Sequence, residues 1–322
     1  MRRRAKAAPS VDAGVDAAEQ HARRLRQLEL TVVRRLDGLL QGAYRGRFLG
    51  PGSEPGEGRA YQTGDDYRRM DWKLTARAGS PMVRDVVADR ELELWMVADR
   101  SPSLDFGTVE CLKRELALGA AAALGFLAAR SGSRVGAVVF GRGPTVTLPA
   151  RLGRQPVRDV LHHLDGRPEP NTTTLDSTLE DALRVIPRVA RDSGVVVVVS
   201  DFLDPGDWAR PLRALRASHD VIAVEIIDPI ELALPDVGLA VFQDPETGAQ
   251  LEVSTGRRGV RDRYAERATA FRAEIRGTLR HAAADHVVLR TDSDWVLDLA
   301  RYLRRRRRTA WQAHATRTLA VR

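Results

Sequence analysis

Asp99-Arg100-Ser101-Pro102-Ser103 puts one carboxylate and two hydroxyls within five residues, directly after the apolar run Leu94-Trp95-Met96-Val97-Ala98. Such a run reads as a buried strand. Carboxylate and hydroxyl oxygens are hard ligands for cations such as Mg²⁺, and open α/β sheets build their sites at the carboxyl ends of strands. The same residue types also make turns and helix caps, so the reading depends on what the rest of the chain adds. A second strand, Gly194–Ser200 (GVVVVVS), ends in Asp201. In a doubly wound sheet such ends converge on one edge, so both carboxylates can approach a single cation. Between them in sequence lies the hydroxyl-rich loop Asn171-Thr-Thr-Thr-Leu-Asp-Ser-Thr178, ahead of a helix at Leu179. Two carboxylates and the hydroxyls form a Mg²⁺ ligand set with water in the open positions, and Mn²⁺ or Ca²⁺ are the other divalent candidates. No general base is evident beside it, which favours docking a carboxylate over hydrolysis. Asp228 and Asp292 also end strands, but Pro229 and Ser293 give them ordinary turn and cap roles.

Other chemistries find less support. The chain has no G-x-S-x-G, no G-x-x-x-x-G-K-[ST] and no H-E-x-x-H. His162 and His163 are adjacent on an expected helix and point in different directions. Cys111 has no histidine near it in sequence to act as a base, so it reads as a packed thiol. Asp65, Asp66 and Asp71 sit among cations and aromatics in the stretch 59–77 and define the alternative enzyme, a metal-dependent hydrolase or nuclease using them with the strand-end carboxylates. A two-metal site of that kind needs more carboxylates than the two strand ends supply. Trp72 and the two tyrosines in this stretch imply a packed polar network or a partner surface.

The elements that must hold these residues alternate. A helix is expected over 17–40, from Leu25, Leu28, Val32, Leu36 and Leu39. Strands follow at 82–87, 91–98, 134–140, 145–148, 194–200, 221–227 and 287–289. Helices lie between most of them, the first capped by Thr108 and running to Arg130. Alternation of this kind implies right-handed crossovers and a mainly parallel doubly wound sheet, and the segments near 239–253 read as an inserted β-hairpin. The 322 residues carry a net charge of +8. The first six residues hold four cations and 301–322 hold eight arginines with no acidic residue, so the chain between them is mildly acidic. The basic end suits an anionic membrane surface or a solubilising tail, and the acidic body argues against specific nucleic-acid binding. One cysteine, no apolar signal segment and no apolar run of membrane-spanning length give the expectation of a cytoplasmic protein.

The run Arg59, Tyr61, Gly64, Asp65, Asp66, Arg68, Asp71, Trp72 and Arg77 matches R-x-Y-x-x-G-D-D-x-R-x-x-D-W-x-x-x-A-R. Followed by VADRSPSLDFG, it resembles the bacterial family called domain of unknown function 58. The likeness runs over about Leu25–Arg308 through VVVVSDF, DPxExxLPDVG, DPETG and HVVLRTDSDW. The resemblance implies a von Willebrand factor A-like Rossmann fold with a metal-ion-dependent adhesion site, and a MoxR-type AAA+ ATPase as companion. By that resemblance Asp99, Ser101 and Ser103 match the first metal loop and Asp201 the third. Ser177 stands where the second loop usually has Thr, with Thr174 as the ligand if the loop is shifted. The expected organisation is a basic N-terminus over 1–16, a helix and motif region over 17–88, the A-like domain over 89–304 and a basic tail over 305–322. The expected function is a non-enzymatic docking module for a protein client presenting Asp or Glu.

Overall fold

The computed structural model describes residues 58–62, 67, 70–84, 93–166, 177–204, 206–244 and 248–306, with residues 27, 30–32, 34–36, 38 and 39. The main sheet has six strands: β3 (Glu93–Arg100), β4 (Arg134–Gly141), β5 (Val146–Arg151), β6 (Val195–Ser200), β7 (Asp220–Ile227) and β10 (Asp285–Arg290). Their order across the sheet is β10-β7-β6-β3-β4-β5, all parallel except β5 at one edge. The order reverses between β3 and β6, so the carboxyl ends of these two strands flank the topological switch point. This is the mainly parallel, doubly wound arrangement expected, with one antiparallel edge strand.

The continuous Val/Ile/Leu/Ala character of β3, β4, β6 and β7 follows from cover on both faces. Leu94, Met96 and Ala98 of β3 join one core with Val195, Val197 and Val199 of β6. The helices α2 (Lys113–Arg130) and α3 (Gln155–Asp165) and the helical stretch 295–306 cover that face. Trp95 and Val97 join the opposite core with Val196 and Val198, under α4 (Leu179–Val189), α5 (Ala209–Leu215) and α6 (Arg258–His281). Because α2 lies deep in the first layer it is apolar nearly all round, with Leu116 to Ala128 buried. Of the expected N-terminal helix, residues 30–32 and 34–36 are helical, and Val32 and Leu36 are buried in the first core. Leu25 and Leu28 lie outside the described residues.

Outside the sandwich, β1 (Gly58–Ala60) pairs antiparallel with β2 (Met82–Arg84), and α1 (Trp72–Ala78) lies between them. The expected strand over 82–87 is therefore seen as Met82–Arg84, with 85–92 outside the described residues. The expected hairpin is β8 (Leu239–Gln243) and β9 (Gln250–Ser254), a two-stranded sheet of its own.

One expectation changes. The helix after the first loop begins at Lys113, not at Thr108. Thr108 instead gives its N–H and hydroxyl to the Asp228 carboxylate at 2.8 and 2.5 Å. Asp228, fully buried, also accepts from the Thr291 hydroxyl at 2.7 Å and the Ile230 N–H at 3.1 Å. One carboxylate thus ties the segment before α2 to the ends of β7 and β10. Burial alone would raise this carboxyl, but the bonds from Thr108, Thr291 and Ile230 outweigh it and hold its pKa below the ordinary value. Its contribution to stability is therefore present above the unfolded carboxylate range and lost as pH falls through the lowered pKa. Asp228→Ala should cost about 3 kcal/mol in urea unfolding at pH 7, and the difference from wild type should narrow as the pH is taken below 4.

Candidate metal centre

The register of the two central strands builds the site. Ala98 of β3 pairs with Val199 of β6, so Asp99 and Ser200 follow opposite one another on the same face. Ser200 donates its hydroxyl to Asp99 Oδ2 at 2.5 Å and accepts the Phe202 N–H at 3.0 Å. Phe202 has a left-handed backbone with φ 57°, a conformation unusual for a non-glycine residue. Burial of its ring against Trp208, with centroids 5.2 Å apart, stabilises that turn. The turn lets Asp201 Oδ1 accept the Leu203 N–H at 3.1 Å, which leaves Oδ2 facing the first loop.

That first loop folds over the same edge. Asp99 Oδ1 accepts the Ser101 N–H at 2.7 Å, Ser101 Oγ meets Ser103 Oγ at 2.9 Å, and Ser103 Oγ donates to Asp201 Oδ2 at 2.7 Å. Asp99, Ser101, Ser103 and Asp201, all buried, are thus linked across the switch point, Asp99 through the Ser101 N–H and the other three through their side-chain oxygens; we call this set the oxygen chain. Gly141, at the end of β4, backs the loop with φ +111°, and a Cβ there would lie 2.5 Å from the Ser101 nitrogen. Only glycine allows both that conformation and that approach.

The electrostatics ask for a cation. Burial first, then the charge of Asp201, pushes Asp99 up to about 7, against the hydrogen bonds from Ser200 and Ser101. Asp201 has a cation beside it, the fully buried Lys113, whose Nζ lies 2.8 Å from Oδ2 and 2.6 Å from Glu231 Oε1. Burial opposes the charge of Lys113, but Asp201 and Glu231 hold its pKa above the ordinary lysine value. Arg272 of α6 donates to Glu225 at 2.7 Å, to Glu231 at 3.1 Å and to the Asp201 carbonyl at 3.2 Å, and His286 Nε2 meets Glu225 at 2.7 Å. Lys113 meets Asp201 and Glu231, Arg272 meets Glu225 and Glu231, and Asp99 is the one of the four acidic groups with no cation bonded to it. A divalent cation held by Asp99 and the serines fits that deficit and the hard-oxygen donor set. Among the described residues no three His, Cys, Asp or Glu side chains cluster to hold a metal, so such an ion would draw on the hydroxyls and water.

Not every expected ligand joins this chain. The Ser177 hydroxyl is buried but bonded to the end of β4, accepting from the Gly141 N–H at 3.0 Å and donating to the Gly143 carbonyl at 3.1 Å. It pins the second loop to Gly141 and has no hydrogen bond to the other four residues. Thr174 lies outside the described residues, as do Gly64, Asp65, Asp66 and Arg68. Asp71 Oδ1 accepts the Lys73 and Leu74 N–H groups at 3.0 and 3.1 Å, which makes Asp71 the N-cap of α1. Arg59 lies in β1, and Arg77 is exposed in the last turn of α1. The motif aromatics are not packed away: Tyr61, Tyr67 and Trp72 are 36%, 64% and 69% exposed. Of the two expectations for that stretch, the outward-facing surface is the one these side chains fit.

Sequence reasoning missed Ser200, Lys113, Glu225 and Glu231. A signal existed for two of them. A lysine opening an otherwise apolar helix opposes the helix dipole, and a glutamate inside VIAVEII must find a cation.

A doubly wound α/β domain with a strand-end oxygen cluster at its switch point is what fold and site together define. The chain belongs to the family "Protein of unknown function DUF58", whose profile matches residues 57–274. "Uncharacterized protein Rv1480" of Mycobacterium tuberculosis (strain H37Rv) is 47% identical over 290 residues, covering 90% of this chain and 91% of its own. "Uncharacterized protein MAV169" of Mycobacterium avium is 39% identical over 163 residues, 51% of this chain and 95% of its own. Among solved structures, conserved hypothetical protein BatB from Bacteroides thetaiotaomicron superposes with TM-score 0.41 at 12% identity, over 67% of this chain and 99% of that one. The SpRpn10 VWA domain superposes with TM-score 0.35 at 9% identity, over 65% and 93%. No described helix is long and apolar enough to cross a membrane.

Gly141→Ala should strain the backbone and push the Ser101 nitrogen away, lowering stability by about 2–4 kcal/mol in denaturant unfolding. Gly132→Ala, also at positive φ but with nothing within 4 Å of its Cβ, should cost less, about 1 kcal/mol.

Proposed function

We propose that this chain is a non-enzymatic, metal-ion-dependent docking module that hands a protein client to a MoxR-type AAA+ ATPase. The observation that carries the metal part is the oxygen chain Asp99–Ser101–Ser103–Asp201, with its uncompensated buried carboxylate at the switch point. In this reading Asp99, Ser101 and Ser103 hold Mg²⁺, or alternatively Mn²⁺ or Ca²⁺, directly or through water, while Asp201 orients Ser103 from behind. Ser177 serves the site by holding the second loop against Gly141, and Thr174 remains the alternative second-loop ligand by the family resemblance. When bound, the ion supplies an open Lewis-acidic position that a partner's Asp or Glu can complete. The ATPase as companion follows from the family resemblance, and the outward-facing Tyr61, Tyr67 and Trp72 offer it a surface. In this reading Asp99 is taken up by the ion and Asp201 by Lys113 and Ser103, so no further carboxylate or histidine of the oxygen chain is left to act as a base, which favours docking over hydrolysis.

Two outcomes test this. Affinity capture with the tagged full chain in Mg²⁺ should retain an AAA+ ATPase, lose its client with EDTA, and lose it equally with Asp99→Ala. Client capture indifferent to both treatments would refute metal-dependent docking. Asp99→Asn removes the repulsion with Asp201 but turns an NH2 toward one of the two donors that Asp99 accepts, so its metal-free melting temperature should stay within a few degrees of wild type. The same variant should lose the stabilisation that Mg²⁺ gives the wild type.

A further inference from the structure

Lys113 is the one lysine sealed inside the described part of the fold, with 1% of its side chain exposed. Nothing about its place is cheap. It opens α2, where a positive charge opposes the helix dipole, and its ammonium has left water, which only close carboxylates can offset. The backbone sets it there: its N–H donates to the Phe106 carbonyl at 2.8 Å, fixing the start of the helix beside the first loop. From that point Nζ reaches across the carboxyl edge to Asp201 Oδ2, the same oxygen that takes the Ser103 hydroxyl. The ammonium is therefore one carboxylate away from the serine oxygens of the centre.

Its second partner matters as much. Glu231 Oε1 binds Lys113 at 2.6 Å, while Oε2 binds Arg272, which also donates to the Asp201 carbonyl. Glu231 draws part of the lysine's charge away from Asp201. We propose that Lys113 is a tethered cation built into the metal centre. It neutralises the Asp201 half, so the loops stay together without a divalent ion, and it opposes that ion's entry, so occupancy follows the free ion concentration. Glu231 sets how strongly it does so. The inference rests on the metal-docking reading above, and deepens it by naming what tunes the affinity.

The test is Mn²⁺ titration of the full chain, read by the free-ion electron paramagnetic resonance signal and by circular dichroism melts. Lys113→Met should bind Mn²⁺ at least about tenfold more tightly than wild type, because a like charge has left the low-dielectric neighbourhood of the ion. Its metal-free melting temperature should fall and recover with Mn²⁺ far more than wild type does. Glu231→Gln turns the whole ammonium onto Asp201 and should bind Mn²⁺ at least about threefold more weakly. Equal or weaker binding by Lys113→Met overturns the inference while leaving metal docking standing. If Lys113→Met stays unfolded even with Mn²⁺, Glu231→Gln decides, and binding as tight as wild type overturns the inference. No Mn²⁺ binding by any of the three proteins overturns the docking reading itself.

Discussion

Three buried carboxylates and a fourth that is partly exposed, at one edge of a mainly parallel sheet, are the constraint around which the rest of the molecule is arranged. Asp99, Asp201 and Glu225 have been taken out of water and Glu231 largely so, and each must be met by a donor or a cation. Two central strands deliver the first pair, β7 and the turn after it the second, while helices from opposite layers send Lys113 and Arg272 to meet them. The site is therefore the place where both cores, the switch point and the long helix α6 are joined by charge. Its hydrogen bonds are close-set and directional, so the geometry of any one member fixes its neighbours.

How far this could be read in the sequence depended on whether the cause was local. Asp99 and Asp201 were legible because each directly follows an apolar run, and register alone brings the ends of adjacent strands together. The alternation of strands and helices gave the sheet, since β-branched runs such as GVVVVVS have few other places to go. Ser177 was harder. It sits in a loop with several hydroxyls, and its actual partners are the backbone of Gly141 and Gly143, which carry no side-chain signature. Thr108 looked like a cap because a cap is the nearest use for a threonine ahead of a helix. Its true partner, Asp228, is 120 residues away. Lys113 offered only the signal of a cation opening an apolar helix, and the segment Lys-Arg-Glu reads as readily as an ordinary solvated first turn.

The motif region shows the opposite case, residues legible as a pattern but not as a shape. Asp71 is resolved by an ordinary helix cap, whose carboxylate answers two N–H groups of the first turn. Its neighbour Trp72 stands in solvent, which a folded chain tolerates only at a cost in exposed apolar area. The hairpin β8–β9 carries Leu239, Val241 and Leu251 outward in the same way. Both features lie outside the sandwich and contribute little to its core.

The sheet order has a mechanical meaning. The oxygen chain hangs from β3 and β6, the two central strands, each hydrogen-bonded on both sides. A pull on a molecule held at that edge would run along the strand axes. It would load the ladders of backbone bonds on both sides of each strand at once, whereas an edge strand such as β5 or β10 is held by a single ladder. Load applied there is therefore carried by more backbone bonds than at either edge of the sheet.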